Sequence, residues 1–362
     1  MRHHFSLVFC AVLLGGSYVA IAEAPAPNPE RKVIEAHGHL SLSGLPLILK
    51  VMDENNIEWM VNLSGGSPGR GMSQAVSLAE KSGGRIVNFY TPDWGRFREP
   101  DFGVVEAKRL ESAVRNYHYG GLKISKYLGL GLRDSAGAYV GVDDPKLDAL
   151  WMKAGELGVP VAIHVGDPKA FFEPLHPENE RWDELSVHPS WSFHDARFPR
   201  REELLQARNR VIARHPRTTF ICVHFGNNPE NPKQVDAWLD QYPNMLLDIS
   251  ARVGEFGRHP AEQMRAFFVK HQDRILFGTD IGLSARGIML GSTGQNPPHV
   301  NDIKPFYEAH WRYFETREKA IAHPVPIQGD WTVDGIGLPP GVLEKFYRGN
   351  ALRWIPRRSV GP

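Results

Sequence analysis

Apolar residues recur along the chain in short β-rich runs, each followed by a helical stretch or by a loop and then a helix. Eight such runs can be read, at 32–37, 57–62, 85–90, 121–125, 160–164, 219–224, 245–250 and 274–278. Helical spacing fills the gaps, for example at 45–54, 144–157, 202–215 and 261–271. Strands alternating with helices argue for a parallel sheet. Eight units whose strands are apolar on both faces favour a closed α/β architecture, the (β/α)8 TIM barrel, over an open sheet. The length of 362 residues suits one such barrel with extra loops.

Two regions break the rhythm. Between 167 and 200 lies a segment rich in aromatics, prolines and histidines, including Phe171, Phe172, His176, Trp182, His188, Trp191, Phe193 and His194. It leaves the carboxyl end of the fifth strand, where barrels build their sites, and reads as a lid-like loop or pocket wall. The second region, 281–341, contains a helix over 302–320.

The N-terminus has a different composition. Arg2, His3 and His4 precede an apolar run over 5–22, with small residues around Ala20-Ile21-Ala22. That order predicts a signal peptide at 1–22, with an uncleaved anchor as the rival reading. A Pro-rich leader at 23–31 and a single domain at 32–356 follow. The expectation is an exported protein, periplasmic or secreted, with no stable membrane insertion once the signal is removed. Of the two cysteines, Cys10 falls inside the signal and Cys222 inside an apolar strand, so no disulfide framework exists. A formal net charge of +1 gives no electrostatic case for nucleic acid or an anionic membrane. A small-molecule substrate is the expected partner, and a homo-oligomer stays open.

Candidate chemistry lies where polar residues end apolar strands. The first strand finishes Glu35-Ala36-His37-Gly38-His39, and histidines two apart on an extended segment share a side. The fifth ends in His164, the sixth in His224 and the eighth in Asp280. A lone strand-end histidine is usually a hydrogen-bonded structural residue, and a lone Asp there is usually a helix cap. Metal-type ligands at all four strand ends together point to one divalent metal ion, zinc in the first place and manganese as an alternative. Lys123 within an apolar strand is costly unless paired.

The motifs Glu35-x-His37-x-His39, Gly121-Leu122-Lys123-Ile124, His164, Val223-His224-Phe225-Gly226, Leu247-Asp248-Ile249-Ser250 and Phe277-Gly278-Thr279-Asp280 resemble the amidohydrolase superfamily. Within it the chain looks most like the amidohydrolase-related (family 2) group, which also contains aminocarboxymuconate semialdehyde decarboxylase. The resemblance runs from Val33 to about Leu352. It implies His37, His39, His164 and Asp280 as metal ligands, with His224 beside the water or substrate. Asp280 and His224 are then the catalytic pair. Glu35-x-His37 could replace His37-x-His39 as the ligand pair. His37 and His39 are favoured, with Glu35 orienting an imidazole. Lys123 is read either as a carboxylated bridge between two metals or as a contact to a substrate carboxylate. Arg252 could anchor an anionic group, and Trp94 could line the pocket; a surface ion pair and a buried structural ring are their plain alternatives. The resemblance implies hydrolysis of a C–N or C–O bond in a small, anionic substrate, with non-oxidative decarboxylation of a small unsaturated or aromatic carboxylic acid as the alternative. A non-catalytic metal- or sugar-binding module is the reading outside enzymology.

Overall fold

The computed structural model describes residues 31–357. The signal peptide and all but the last residue of the leader lie outside them. Eight strands follow one another as parallel neighbours: β1 (Val33–Leu40), β2 (Ile57–Asn62), β3 (Ile86–Tyr90), β4 (Gly121–Ile124), β5 (Val161–Ile163), β6 (Phe220–Cys222), β7 (Met245–Asp248) and β8 (Ile275–Leu276). Closure is made just past β8. The Ala36 N–H donates to the Phe277 carbonyl (2.9 Å) and the Asp280 N–H to the His37 carbonyl (3.0 Å). β9 (Ile281–Ser284) then continues parallel to β1, and β10 (Gly287–Leu290) folds back antiparallel on β9. The fold is the expected (β/α)8 barrel, extended by a hairpin that the sequence reading did not contain.

Parity along the strands separates two cores. Ile34, Ala36, Trp59, Val61, Val87, Phe89, Ala162, Ile221, Leu246 and Leu276 cluster as the barrel interior, plugged at one end by Ala351 and Ile355. Their strand neighbours pack outward on the helices in a larger cluster. On β4, Leu122 and Ile124 belong to the outer core. Lys123, paired in register with Ala162, is therefore this strand's interior residue.

β1 carries a β-bulge. Its register advances from Glu35 to Gly38 while β2 advances only from Met60 to Asn62. The extra residue switches parity, so His37 and His39 face the side occupied lower down by Ile34 and Ala36. At the other strand ends the backbone turns left-handed, with φ of 56° at His224, 54° at Ala251 and 65° at Asp280. The strands β6, β7 and β8 themselves stop short of the expected 224, 250 and 278, ahead of these left-handed residues. Such non-glycine conformations cost about 1–3 kcal/mol each and persist where surrounding structure enforces them.

The helices Leu45–Glu54, Asp148–Leu157, Arg201–Arg214 and Ala261–Lys270 fall close to expectation. Ile303–Glu315 is shorter than 302–320, because Thr316 is extended and its hydroxyl donates to the Arg312 carbonyl (2.8 Å). The segment after β5 is not a bare loop. Three short helical turns, Lys169–Phe172, Trp182–Leu185 and Pro189–Trp191, surround a small core of Leu130, Phe171, Leu185, Phe193 and Leu204. Fully buried Arg181 pairs with Glu184 (2.9 Å) and with Glu255 beyond β7. This packing ties the segment to the barrel. Among the described residues no helix is long and apolar enough to cross a membrane, and Cys222 is free and buried.

Gly278 sits where the barrel closes. A Cβ there would lie 2.9 Å from the His37 Cβ and 3.2 Å from its backbone nitrogen. Overpacking of this kind costs about 1–3 kcal/mol. Gly278→Ala should therefore lower the urea midpoint with an unchanged m-value, and an unaltered midpoint would show that β1 and the end of β8 are free to separate.

Candidate metal centre

The carboxyl ends of the strands bring His37, His39 and Asp280 to one place, with His224 beside them and His164 beyond it. His37 Nε2 lies 3.4 Å from Asp280 Oδ1, and His39 Nε2 lies 3.4 Å from the same oxygen. One nitrogen or oxygen from each of His37, His39 and Asp280 falls within 4.8 Å of the others. His224 lies tilted beside them, its ring centroid 4.8 Å from His37, and His164 stands one ring further out, 4.5 Å from His224 and edge-on to it.

Asp248, at the end of β7, holds this arrangement. Its Oδ2 lies 2.7 Å from His37 Nδ1. Its Oδ1 accepts the His224 N–H (2.8 Å), the Ser250 hydroxyl (2.6 Å) and the Ser250 N–H (3.2 Å). A carboxylate only accepts, so the His37 proton sits on Nδ1 and the lone pair on Nε2. His224 Nδ1 lies 2.9 Å from the Ser250 carbonyl, which fixes its proton on Nδ1 in the same way. His39 Nδ1 meets the Ser64 hydroxyl at 2.7 Å, a partner able to take its proton and free Nε2. Burial pushes the Asp248 carboxyl up, but the His37 ring and four donated hydrogen bonds outweigh it and hold the group below its ordinary range.

Two buried atoms at the centre lack any partner, His37 Nε2 and Asp280 Oδ1. Unpaired buried polar atoms are rare and expensive. Here a lone pair and a carboxylate oxygen point at one spot, with His39 Nε2 beside them. Imidazole and carboxylate donors in that geometry suit a divalent cation such as zinc or manganese. Burial lowers the pKa of His39 and of His224, and the neighbouring positive charges add to it. Burial also brings His164 down to about 4, against the opposing pull of Asp167. Neutral imidazoles are the form that binds metal. Asp280 goes the other way, raised by burial despite His37, Lys123 and Arg252.

Cations surround this cluster. Lys123 Nζ is buried without a hydrogen-bond partner, and burial lowers it to about 8 against the attraction of Asp248 and Asp280. Arg252 is buried just past β7, bonded to the Ala251 carbonyl (2.7 Å) and 4.0 Å from Glu255. It is no surface ion pair. Glu35 does not orient an imidazole. Its carboxylate accepts from the Thr279 N–H and hydroxyl (both 2.8 Å), the His37 N–H (3.1 Å) and the Tyr307 hydroxyl (3.3 Å). Glu35 thus clasps β1 to the end of β8, and burial raises its pKa to about 7 in spite of those donors. The imidazole-orienting carboxylate is Asp248, which the sequence reading quoted within the motif Leu247-Asp248-Ile249-Ser250 without giving it a role. The Trp94 ring packs on Phe102 (5.6 Å) against the outer core, as a structural residue. Ser64 and Asp167 carried no signal in the sequence beyond their place after strands, and Ser250 only its place in that motif.

Fold and site together define a metal-binding (β/α)8 barrel enzyme. The amidohydrolase family model matches residues 93–357, and the chain belongs to that family. Lys123, His164, His224, Asp248 and Asp280 fall inside the matched residues, while His37 and His39 precede them. No curated protein matches the sequence. Among solved structures, the barrel is similar to an amidohydrolase-like protein from Staphylococcus aureus (14% identity, 90% of this chain and 99% of that one, TM-score 0.55). It is also similar to 2,6-dihydroxybenzoate decarboxylase from Rhizobium (16%, 90% and 98%, 0.51). A third is dihydroxybenzoic acid decarboxylase from a Polaromonas species, solved with bound manganese and 2-nitroresorcinol (14%, 90% and 96%, 0.51). At these identities the likeness is one of fold.

The lone Lys123 ammonium should make the site unstable. Lys123→Met is expected to raise unfolding free energy by about 1–3 kcal/mol at pH 7. Its pKa is lowered on folding from 10.5 to about 8. The wild-type penalty is therefore complete below the lower value and vanishes above the upper one, so wild-type stability climbs across that window and the mutant's advantage shrinks. Paired urea titrations at pH 7 and pH 10 check this; a destabilised variant at pH 7 would mean that Lys123 has a partner.

Proposed function

We propose that the protein is a metal-dependent hydrolase that uses water to cleave a C–N or C–O bond in a small, anionic substrate. The observation that carries this reading is the pair of buried, unpartnered atoms His37 Nε2 and Asp280 Oδ1, 3.4 Å apart. In this reading His37, His39, His164 and Asp280 hold one divalent cation, zinc first and manganese second. A cation bound there supplies Lewis acidity and brings the pKa of water to near neutrality.

The residues divide the remaining work. Asp280, whose pKa burial raises, takes a proton from water and returns it to the leaving nitrogen or oxygen. His224 donates its Nδ1 proton to the Ser250 carbonyl, so its Nε2 is an acceptor, suited to orienting the water and not to donating to an oxyanion. Lys123 and Arg252 are the cations available for the anionic group of the substrate. Asp248 keeps the His37 tautomer in place from behind and holds the His224 backbone.

A second reading, decarboxylation, is favoured by one feature. The unpartnered Lys123 ammonium could seat a substrate carboxylate inside the barrel. The C–C bond would then break to release CO2, and Asp280 would deliver a proton to the carbon left behind. Turnover of amides, lactones and aromatic carboxylates in 18O-water, with CO2 detection, separates the two. Label in the organic product supports hydrolysis, and CO2 release with no label in the organic product supports decarboxylation.

Role separation gives a sharper test. His37→Ala, His39→Ala and His164→Ala should each lower metal content together with rate. Asp280→Asn should weaken both. His224→Ala should keep most of its metal and lose about 10²- to 10⁴-fold in kcat, the range for a positioned proton-transfer partner. Metal stoichiometry measured beside kcat decides it. A His224→Ala protein as empty as His164→Ala would make His224 a ligand and point to two metals bridged by carboxylated Lys123.

A further inference from the structure

His164 is held from outside the metal cluster. Its Nε2 lies 2.9 Å from the Gly166 carbonyl and 3.4 Å from Asp167 Oδ1. Both partners can only accept, so the proton sits on Nε2 and the lone pair is on Nδ1. Gly166 adopts a φ of 71°, in the left-handed region that favours glycine, within the turn that brings this carbonyl back to the ring. The same carbonyl accepts from the Asn227 side-chain amide at 3.3 Å, which fixes its direction.

Asp167 is clamped in turn. It is buried, and its Oδ2 lies 2.6 Å from Lys126 Nζ, on the stretch that follows β4. That ammonium sits among the rings of Phe171, Trp191 and Phe193, at 5.7, 5.3 and 5.7 Å from their centroids. These three rings belong to the segment that wraps away from β5. Cation–π contacts and a charge-assisted hydrogen bond together leave the Lys126–Asp167 pair little freedom. The wall after β5 thus reaches the centre through one line of contacts, from aromatic rings to Lys126, to Asp167, to His164.

We propose that Asp167, clamped by Lys126, is a positioning residue that holds His164 in its Nε2-protonated form with Nδ1 offered to the cation. This rests on the metal reading above. Carboxylates behind ligating imidazoles fix tautomer and ring orientation, and losing one typically weakens metal affinity about 10- to 100-fold. It also gives the aromatic segment a function: its rings set a charge pair, and that pair sets a ring at the centre.

The test measures zinc dissociation constants by chelator competition for the full-length protein and for Asp167→Ala, Asp167→Asn, Lys126→Met, His164→Ala and the double variant Asp167→Ala/His164→Ala. 15N NMR of the histidine rings reads the tautomer of His164. Asp167→Ala should weaken zinc about 10- to 100-fold. Asp167→Asn, which keeps an accepting oxygen, should recover part of that loss, and Lys126→Met should shift affinity in the same direction. The double variant should bind no worse than His164→Ala alone, because Asp167 acts through that ring. The His164 signal should report Nε2–H in the wild type and a mixture in Asp167→Ala. Unchanged affinity in a folded Asp167→Ala, or additive losses in the double variant, would overturn the inference. Should Asp167→Ala fail to fold, Lys126→Met carries the same comparison, since its side chain is half-buried at the mouth. Wild-type protein that takes up no divalent cation overturns the metal reading itself; wild type that binds zinc while Asp167→Ala binds it equally well overturns only the role of Asp167.

Discussion

The carboxylate of Asp248 is the constraint on which the rest of the centre depends. It sits at the end of β7 and joins that strand to β1 through His37 Nδ1 and to β6 through the His224 backbone N–H. Burying a carboxylate is expensive, and each of its oxygens is engaged by donors that make burial tolerable. The same bonds decide chemistry. They put the His37 proton on the outward nitrogen and leave the inward nitrogen bare beside Asp280. They also hold Ser250, whose carbonyl decides the tautomer of His224.

Around that hub the backbone accepts local strain. A bulge in β1 turns two histidines to the interior, and left-handed residues at His224, Ala251 and Asp280 hook the strand ends over the mouth. Closure between β1 and the end of β8 is made by backbone hydrogen bonds and by Glu35, which gathers four donors at the seam. Strain of this sort survives only where neighbours over-determine it, and it clusters at functional sites. The apolar interior layer below the mouth provides that rigidity.

Electrostatically the centre is a ring of groups held away from their preferred forms. His39, His164 and His224 are pushed toward neutrality, Asp280 is raised, and Lys123 is buried without a counter-ion at hydrogen-bond distance. A site that keeps an unpaired ammonium beside an unpaired carboxylate oxygen gives up folding stability for binding, the usual exchange at a working site. Amidohydrolase family membership accords with that arrangement. The substrate's own charge would complete what the fold leaves unpaired.

Much of this was legible in the chain alone. Eight apolar runs separated by helical spacing specify a barrel, because each strand must be buried on both faces and each helix on one. Polar residues ending those runs marked His37, His39, His164, His224 and Asp280, since metal-type ligands at four strand ends together exceed what structural histidines and helix caps explain one at a time. The tertiary structure decided the partners. Asp248 is 211 residues from His37, Glu35 is 244 from Thr279, and Lys126 is 41 from Asp167. No local pattern records such pairs, because they arise only when strands close on one another. The bulge in β1 and the left-handed strand ends were equally invisible, being responses of the backbone to that closure. The chain by itself determined the scaffold and the donor types, through periodicity and burial. Only the closed barrel decided which nitrogen carries each proton and which atoms are left without a partner, because both depend on contacts between residues distant in sequence.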